Sequence, residues 1–132
     1  MDEFGTLETV TGSGTLNDIS GLLEQAWSSN THVPGDVRVQ MGIAVGEIGA
    51  NIVEHAGGPV RMRMEVCVRP NEVEVTFTDD GAPVTVDLNS VRMPNDLAEG
   101  GRGLALAQAV LEQLNYCRDL VNRWTLVSKQ FA

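Results

Sequence analysis

The fold is decided by residues 60–77, which read VRMRMEVCVRPNEVEVTF. Apolar residues alternate with charged or polar ones on both sides of the turn-forming segment RPNE at residues 69–72. Strict alternation places every second side chain on the same face of a strand, so each half predicts a strand with one buried face. Together the two halves predict an antiparallel hairpin formed by Val60–Val68 and Val73–Phe77.

Amphipathic helices are predicted before and after this hairpin in the sequence. A first helix covers residues 15–27 and a second runs from Pro34 to Gly57, because apolar residues recur there at intervals of three and four. The same spacing predicts a third helix over Arg102–Leu114. A helix with one apolar side must bury it against another layer, and the hairpin offers a matching apolar face.

Shorter alternating segments complete the predicted sheet. Phe4–Val10 forms a modest first strand, and two strand-like segments near Tyr116–Leu120 and Trp124–Ser128 close the chain, with a turn at about residues 121–122. We therefore expect an α/β two-layer sandwich with a mixed, largely antiparallel sheet and all helices on one face. With 132 residues and no internal repeat, the sequence predicts a single domain over residues 1–132.

Charge and cysteine content exclude several classes of function. Nine Lys and Arg against 18 Asp and Glu give a net charge of −9, so we expect no nucleic-acid or anionic-membrane partner, since both require a positive surface. The negative charge does not exclude a nucleotide ligand, because backbone N–H groups and a divalent cation can bind its phosphates. Cys67 and Cys117 are isolated, and no segment reaches the roughly 20 apolar residues of a membrane helix. These features predict a cytoplasmic protein with reduced thiols.

The second predicted helix carries a line of polar residues beside its apolar side. Glu47, Asn51 and His55 are spaced by four, so their side chains lie on one face about a turn apart. A carboxylate and an amide so placed suit a general base and a metal ligand over one cleft. The spacing is also typical of an ordinary solvated helix face, so this motif alone does not decide the function.

Two further motifs flank a long segment with little periodicity. The sequence DDGAP at residues 79–83 follows a strand directly, and a carboxylate there suits the amino group of a planar ligand, although the same residues form plain turns. The sequence GGRGL at residues 100–104 opens the third helix, where free N–H groups and the helix dipole favour phosphate oxygens. It matches neither the P-loop nor the GxGxxG dinucleotide motif.

Taken together and in this order, the three motifs resemble the N, G1 and G2 boxes of the GHKL (histidine kinase-like) ATPase superfamily, which has the Bergerat-type ATP-binding fold. Within it, the sequence is most similar to the bacterial anti-sigma factor serine kinases. The resemblance covers nearly the whole chain, including the closing run NRWTL at residues 122–126. It implies an ATP- and Mg²⁺-dependent protein serine/threonine kinase that acts on a STAS-domain anti-anti-sigma partner, binds a sigma factor and forms a homodimer.

The resemblance also implies roles for individual residues. Asn51 would coordinate Mg²⁺, and Glu47 would be the general base for the attacking hydroxyl. Asp79 would accept a hydrogen bond from the adenine amino group, with Gly81 allowing the base to approach the backbone. Four residues would meet the phosphates, chiefly through backbone N–H groups, and one would lie beside the adenine: Gly101, Arg102, Gly103 and Leu104, and Thr125. The segment Val86–Glu99 would form a mobile lid.

Alternative functions of the same fold differ in what they ask of Glu47. A non-catalytic, nucleotide-gated interaction module would keep Asp79 and Asn51 without chemistry at Glu47. Helix geometry also leaves Glu54 as a competing base, because it lies on the same helix about 20° short of two full turns from Glu47. A detached sensor histidine kinase core is disfavoured, since neither histidine of the sequence lies in a phosphoacceptor setting.

Overall fold

The computed structural model describes residues 2–84 and 102–132, which contain three helices and five strands. The predicted lid Val86–Glu99 and the predicted phosphate contact Gly101 lie outside the described residues. In the described part of the chain, no helix is long and apolar enough to cross a membrane. In chain order the elements are β1 (Glu3–Val10), α1 (Thr15–Ser29), α2 (Gly35–His55), β2 (Arg61–Val68), β3 (Val73–Asp79), α3 (Arg102–Val110), β4 (Gln113–Arg118) and β5 (Asn122–Val127).

The five strands form one sheet in the order β1-β2-β3-β5-β4. Its centre is the hairpin predicted from residues 60–77, in which Val66 of β2 lies opposite Val75 of β3. The described pairings of β1 with β2, β2 with β3, β3 with β5 and β4 with β5 are all antiparallel. The α/β sandwich expected from the sequence is confirmed, and its sheet is antiparallel throughout these pairings.

Alternate strand residues face the helices and form the core. On the central strands the core side chains are buried, while their neighbours on the other face are charged or polar and at least partly exposed, except for Cys67, which is buried. Arg63 on that open face pairs with Glu8 at 2.6 Å and Glu65 at 3.2 Å, and hydrogen bonds to Glu65 and Glu8 raise the pKa of its guanidinium. The strand residues with no exposed area are Met64, Val66, Val73, Val75, Phe77 and Leu126.

The end of α3 differs from the sequence prediction. The helix ends at Val110 instead of Leu114, and β4 begins at Gln113. The N–H of Glu112 donates to the carbonyl of Val127 at 2.9 Å, so the chain is already paired with the sheet there. Leu114 packs against the core from β4 and not from a helix. Its spacing fits either element, and neither Gly nor Pro marks the helix end in the sequence.

The turn between β4 and β5 also lies earlier than predicted. The carboxylate of Asp119 accepts hydrogen bonds from the N–H groups of Leu120 and Val121. Those backbone bonds, first that from Val121, lower the pKa of Asp119. The turn therefore occupies residues 119–121, Leu120 is exposed in it, and Asn122 becomes the first residue of β5. Because the turn ends before Asn122, this residue pairs with Asp79 of β3.

Candidate functional site

Glu47 and Asn51 lie one turn apart on α2, and both are half-buried. The Glu47 side chain reaches Gly103, the second residue of α3. A Cβ at position 103 would overlap Oε2 of Glu47 and lie 3.2 Å from its Cδ. The glycine therefore lets a carboxylate occupy the first turn of α3, where the positive end of the helix dipole stabilises negative charge.

The two titratable residues at the C-terminal end of α2 do not take this position. Glu54 and His55 are exposed, with 68% and 57% of their side chains accessible, and they lie 3.8 Å from each other. Glu47 instead contacts α3. The sequence left open which of the two carboxylates faces α3. In the structure Glu47, and not Glu54, lies against the start of this helix.

Asp79 is the last residue of β3 and is only 4% exposed. Its Oδ1 accepts hydrogen bonds from the N–H of Gly81 at 2.9 Å and from Nδ2 of Asn122 at 3.0 Å. These two bonds between described residues use one carboxylate oxygen. Oδ2 is left to accept a hydrogen bond from a ligand such as the amino group of a planar base.

Gly81 brings the loop after β3 against the end of α2. A Cβ at position 81 would lie 2.8 Å from the Cβ of Ala56 and 3.0 Å from its carbonyl oxygen. The next residue, Ala82, donates its N–H to that carbonyl at 3.2 Å. Because a side chain at position 81 would push the two segments apart, the glycine sets the distance between Asp79 and α2.

Three residues of the β4–β5 hairpin organise the same loop, and the sequence reasoning did not single them out. Asn122 is 1% exposed, and its Nδ2 donates to Ala82 O at 2.9 Å and approaches Gly81 O at 3.3 Å, besides its bond to Asp79. Arg118 donates to Asn122 Oδ1 at 3.0 Å and to Gly81 O at 2.9 Å. No local sequence pattern marks Asn122, because it meets Asp79 only through the pairing of β3 with β5.

Tyr116 completes this arrangement. Its hydroxyl donates a short hydrogen bond to Asn122 Oδ1 and accepts one from the N–H of Val84 at 3.0 Å. Its ring packs against Trp124, with 4.8 Å between the ring centroids. The loop after β3 is thus held to the closing hairpin at three points along its backbone, the carbonyls of Gly81 and Ala82 and the N–H of Val84.

The remaining predicted residues fall into two groups. Arg102, Gly103 and Leu104 form the start of α3, and Leu104 is buried in the core. Thr125 is not brought together with Asp79. It lies opposite Thr76 on the open face of the sheet, whereas Asn122, three residues earlier, shares the helix-covered face with Asp79.

The donor set fits a nucleotide with a divalent cation. Among the described residues, no three His, Cys, Asp or Glu side chains gather as a metal site. Mg²⁺ does not need such a cluster, since it is commonly held by one or two protein oxygens together with substrate phosphates. The side-chain oxygen of Asn51, one turn from Glu47, would be one such ligand. The Glu47 carboxylate lies where a Cβ at position 103 would stand, so this acidic group is next to the start of α3.

An antiparallel α/β sandwich with a buried carboxylate at a strand end and a glycine in the first turn of a helix is typical of a nucleotide-binding domain. The sequence model of the histidine kinase-like ATPase domain matches residues 19–128, which is most of the chain. The protein therefore belongs to the histidine kinase-like ATPase domain family, whose members bind ATP. No curated protein matches the sequence at a significant level.

Proposed function

We propose that this protein is an ATP- and Mg²⁺-dependent protein serine/threonine kinase of the anti-sigma factor type, acting on a STAS-domain anti-anti-sigma protein. The observation that carries the proposal is the carboxylate of Glu47, which lies against Gly103 at the start of α3 and one turn from Asn51. A sigma factor as second partner, a homodimer and a cytoplasmic location complete the proposal, and they rest on the sequence resemblance.

In this proposal the two sides of the site have separate tasks. Asp79 accepts a hydrogen bond from the adenine 6-amino group, while Gly81 keeps the loop backbone close to the base. The first N–H groups of α3 meet the phosphates. Asn51 would hold Mg²⁺, which would supply positive charge against the charge that phosphoryl transfer develops. Such help matters because the chain itself carries a net charge of −9.

Glu47 has the catalytic task. It accepts the proton of the attacking serine or threonine hydroxyl, a role for which a carboxylate must lie within hydrogen-bond reach of the nucleophile. Because a general base acts in the transition state, its loss is expected to lower turnover while nucleotide binding persists.

The experiment combines the purified protein, Mg-ATP and a panel of STAS-domain proteins, with phosphoserine and phosphothreonine detected by mass spectrometry. We expect transfer to one panel member, and a loss of roughly 10²- to 10⁴-fold in rate for Glu47→Gln with ATP affinity nearly unchanged. Asn51→Ala should lower both affinity and rate.

The matched control is Glu54→Gln, which changes a carboxylate of the same helix that is 68% exposed and is expected to retain full activity. Loss of transfer in Glu54→Gln with Glu47→Gln still active would overturn the assignment of the base. ATP binding with nucleotide-dependent partner capture, but no transfer by the unmodified protein, would establish the non-catalytic gated module instead.

A further inference from the structure

The amide of Asn122 is held in one orientation by groups of opposite character. Its oxygen accepts from the Tyr116 hydroxyl and from the Arg118 guanidinium at 3.0 Å, and its nitrogen donates to Asp79 Oδ1 at 3.0 Å and Ala82 O at 2.9 Å. Turning the amide over would place its NH₂ group against a cation and its oxygen against a carboxylate and carbonyls. Four contacts therefore agree on the same rotamer.

Arg118 is the charged member of this set. The arginine side chain has only donors, so the amide atom beside it must be the oxygen. Arg118 therefore fixes which end of the Asn122 amide faces Asp79. Asp79 is 4% exposed and forms no ion pair among the described residues. Arg118 is linked to Asp79 by hydrogen bonds through the Asn122 amide, and it also binds the carbonyl of Gly81 at 2.9 Å.

We infer that Arg118 is a positioning residue for base selection: acting through Asn122, it holds Asp79 so that Oδ2 faces the 6-position of the purine and discriminates a 6-amino from a 6-oxo group. This inference rests on the proposed ATP site. Oδ1 is occupied by Asn122 and Gly81, and Oδ2, which has no hydrogen-bond partner among the described residues, is available as an acceptor. An amino group donates to it, whereas a 6-oxo group places a second acceptor against it.

Loss of Arg118 is expected to loosen the Asn122 amide and so reduce the discrimination between the two bases. Without Arg118, the Asn122 side chain retains only the Tyr116 hydroxyl on its oxygen, and a hydroxyl can either donate or accept. The NH₂ group of Asn122 still donates to Asp79 and Ala82, but the amide is held less tightly, and its bond to Oδ1 loosens while the one from the N–H of Gly81 remains. Asp79 can rotate away from a 6-oxo group, so discrimination falls more than overall affinity.

The test compares the dissociation constants of ATP and inosine triphosphate, which differ at the 6-position, by calorimetry with Mg²⁺ present. For the unmodified protein we expect ATP to bind roughly 30-fold more tightly. In Arg118→Met the ratio should fall to about threefold, and Arg118→Lys, which keeps a cation, should retain a ratio above about tenfold. Tyr116→Phe should give an intermediate ratio. Arg118 is exposed, so these variants are expected to fold.

The control is Arg123→Met, which removes the same charge from the next strand but on the open face, where Arg123 lies opposite Thr78 and Cys117. It should leave the ratio unchanged. If Arg118→Met weakens both nucleotides equally, Arg118 has only a structural role and the inference is overturned. If Arg123→Met lowers the ratio as much as Arg118→Met, general charge explains the effect. If the unmodified protein binds neither nucleotide, the proposed ATP site itself is wrong, which is a distinct outcome.

Discussion

The carboxylate of Glu47 occupies the space that a side chain at position 103 would fill. Glu47 belongs to α2 and Gly103 to α3, so this contact joins the two helices at the level of the proposed catalytic base. The atom displaced by a Cβ would be the end of a flexible side chain, which can rotate away at small cost. The contact therefore controls where the carboxylate lies more than it controls stability.

Gly103→Ala is expected to separate activity from stability. Alanine favours a helix over glycine by about 1 kcal/mol, so the free energy of unfolding should stay level or rise slightly. Displacement of the Glu47 carboxylate should lower phosphoryl transfer by at least roughly tenfold. Denaturant unfolding and the transfer assay measure the two effects. A stable Gly103→Ala variant with full activity would contradict the role given to this contact.

Asp79→Asn is expected to invert base preference with little loss of stability. The new amide oxygen can still accept from Gly81 and Asn122, which now bind Oδ1 at 2.9 and 3.0 Å. Its NH₂ group would then face the base and oppose a 6-amino group, weakening ATP binding by about 1–3 kcal/mol. Inosine triphosphate should bind this variant at least as tightly as ATP. Unchanged ATP affinity would remove Asp79 from the base-binding site.

Two glycines of α2 should respond oppositely to the same substitution. A Cβ at Gly49 would lie 2.8 Å from Cδ1 of Ile19, a core residue of α1, whereas one at Gly42 would meet nothing within 4 Å. We expect Gly49→Ala to lower the free energy of unfolding by about 1–3 kcal/mol through overpacking. Gly42→Ala should raise it by roughly 0.5–1 kcal/mol. Urea unfolding of both variants checks this, and equal effects would contradict the close packing of α1 on α2.

The two cysteines should differ strongly in reactivity. Cys67 is buried, and its loss of hydration raises the pKa of its thiol, whereas Cys117 is exposed. Because the thiolate is the reactive form, native protein should show one fast thiol in a titration near pH 8 and the second only on unfolding. Cys117→Ser should abolish the fast phase, and Cys67→Ser should preserve it. Two fast thiols in the native protein would show that Cys67 is accessible.

The local patterns of the sequence were sufficient for the layers of the fold. Alternation in residues 60–77 marks the central hairpin, because each strand has one buried and one exposed face. The recurrence of apolar residues in α1 and α2 likewise marks helices with one buried side. The same patterns misplaced the end of α3 and the β4–β5 turn, since Leu111 and Leu114 suit a helix and a strand equally well.

Local signals also predicted the candidate site residues, because each lies within a few residues of a helix start, a strand end or a helical repeat. These residues are Glu47, Asn51, Asp79, Gly81 and Gly103. Only the tertiary structure decided that Glu47, and not Glu54, lies at α3, and that Asn122, and not Thr125, lies beside Asp79. Both decisions depend on which residues of distant segments meet. Asn122 and Asp79 are 43 residues apart in the chain. A shift of one residue in strand register would exchange the two faces of β5, and no local pattern encodes that register.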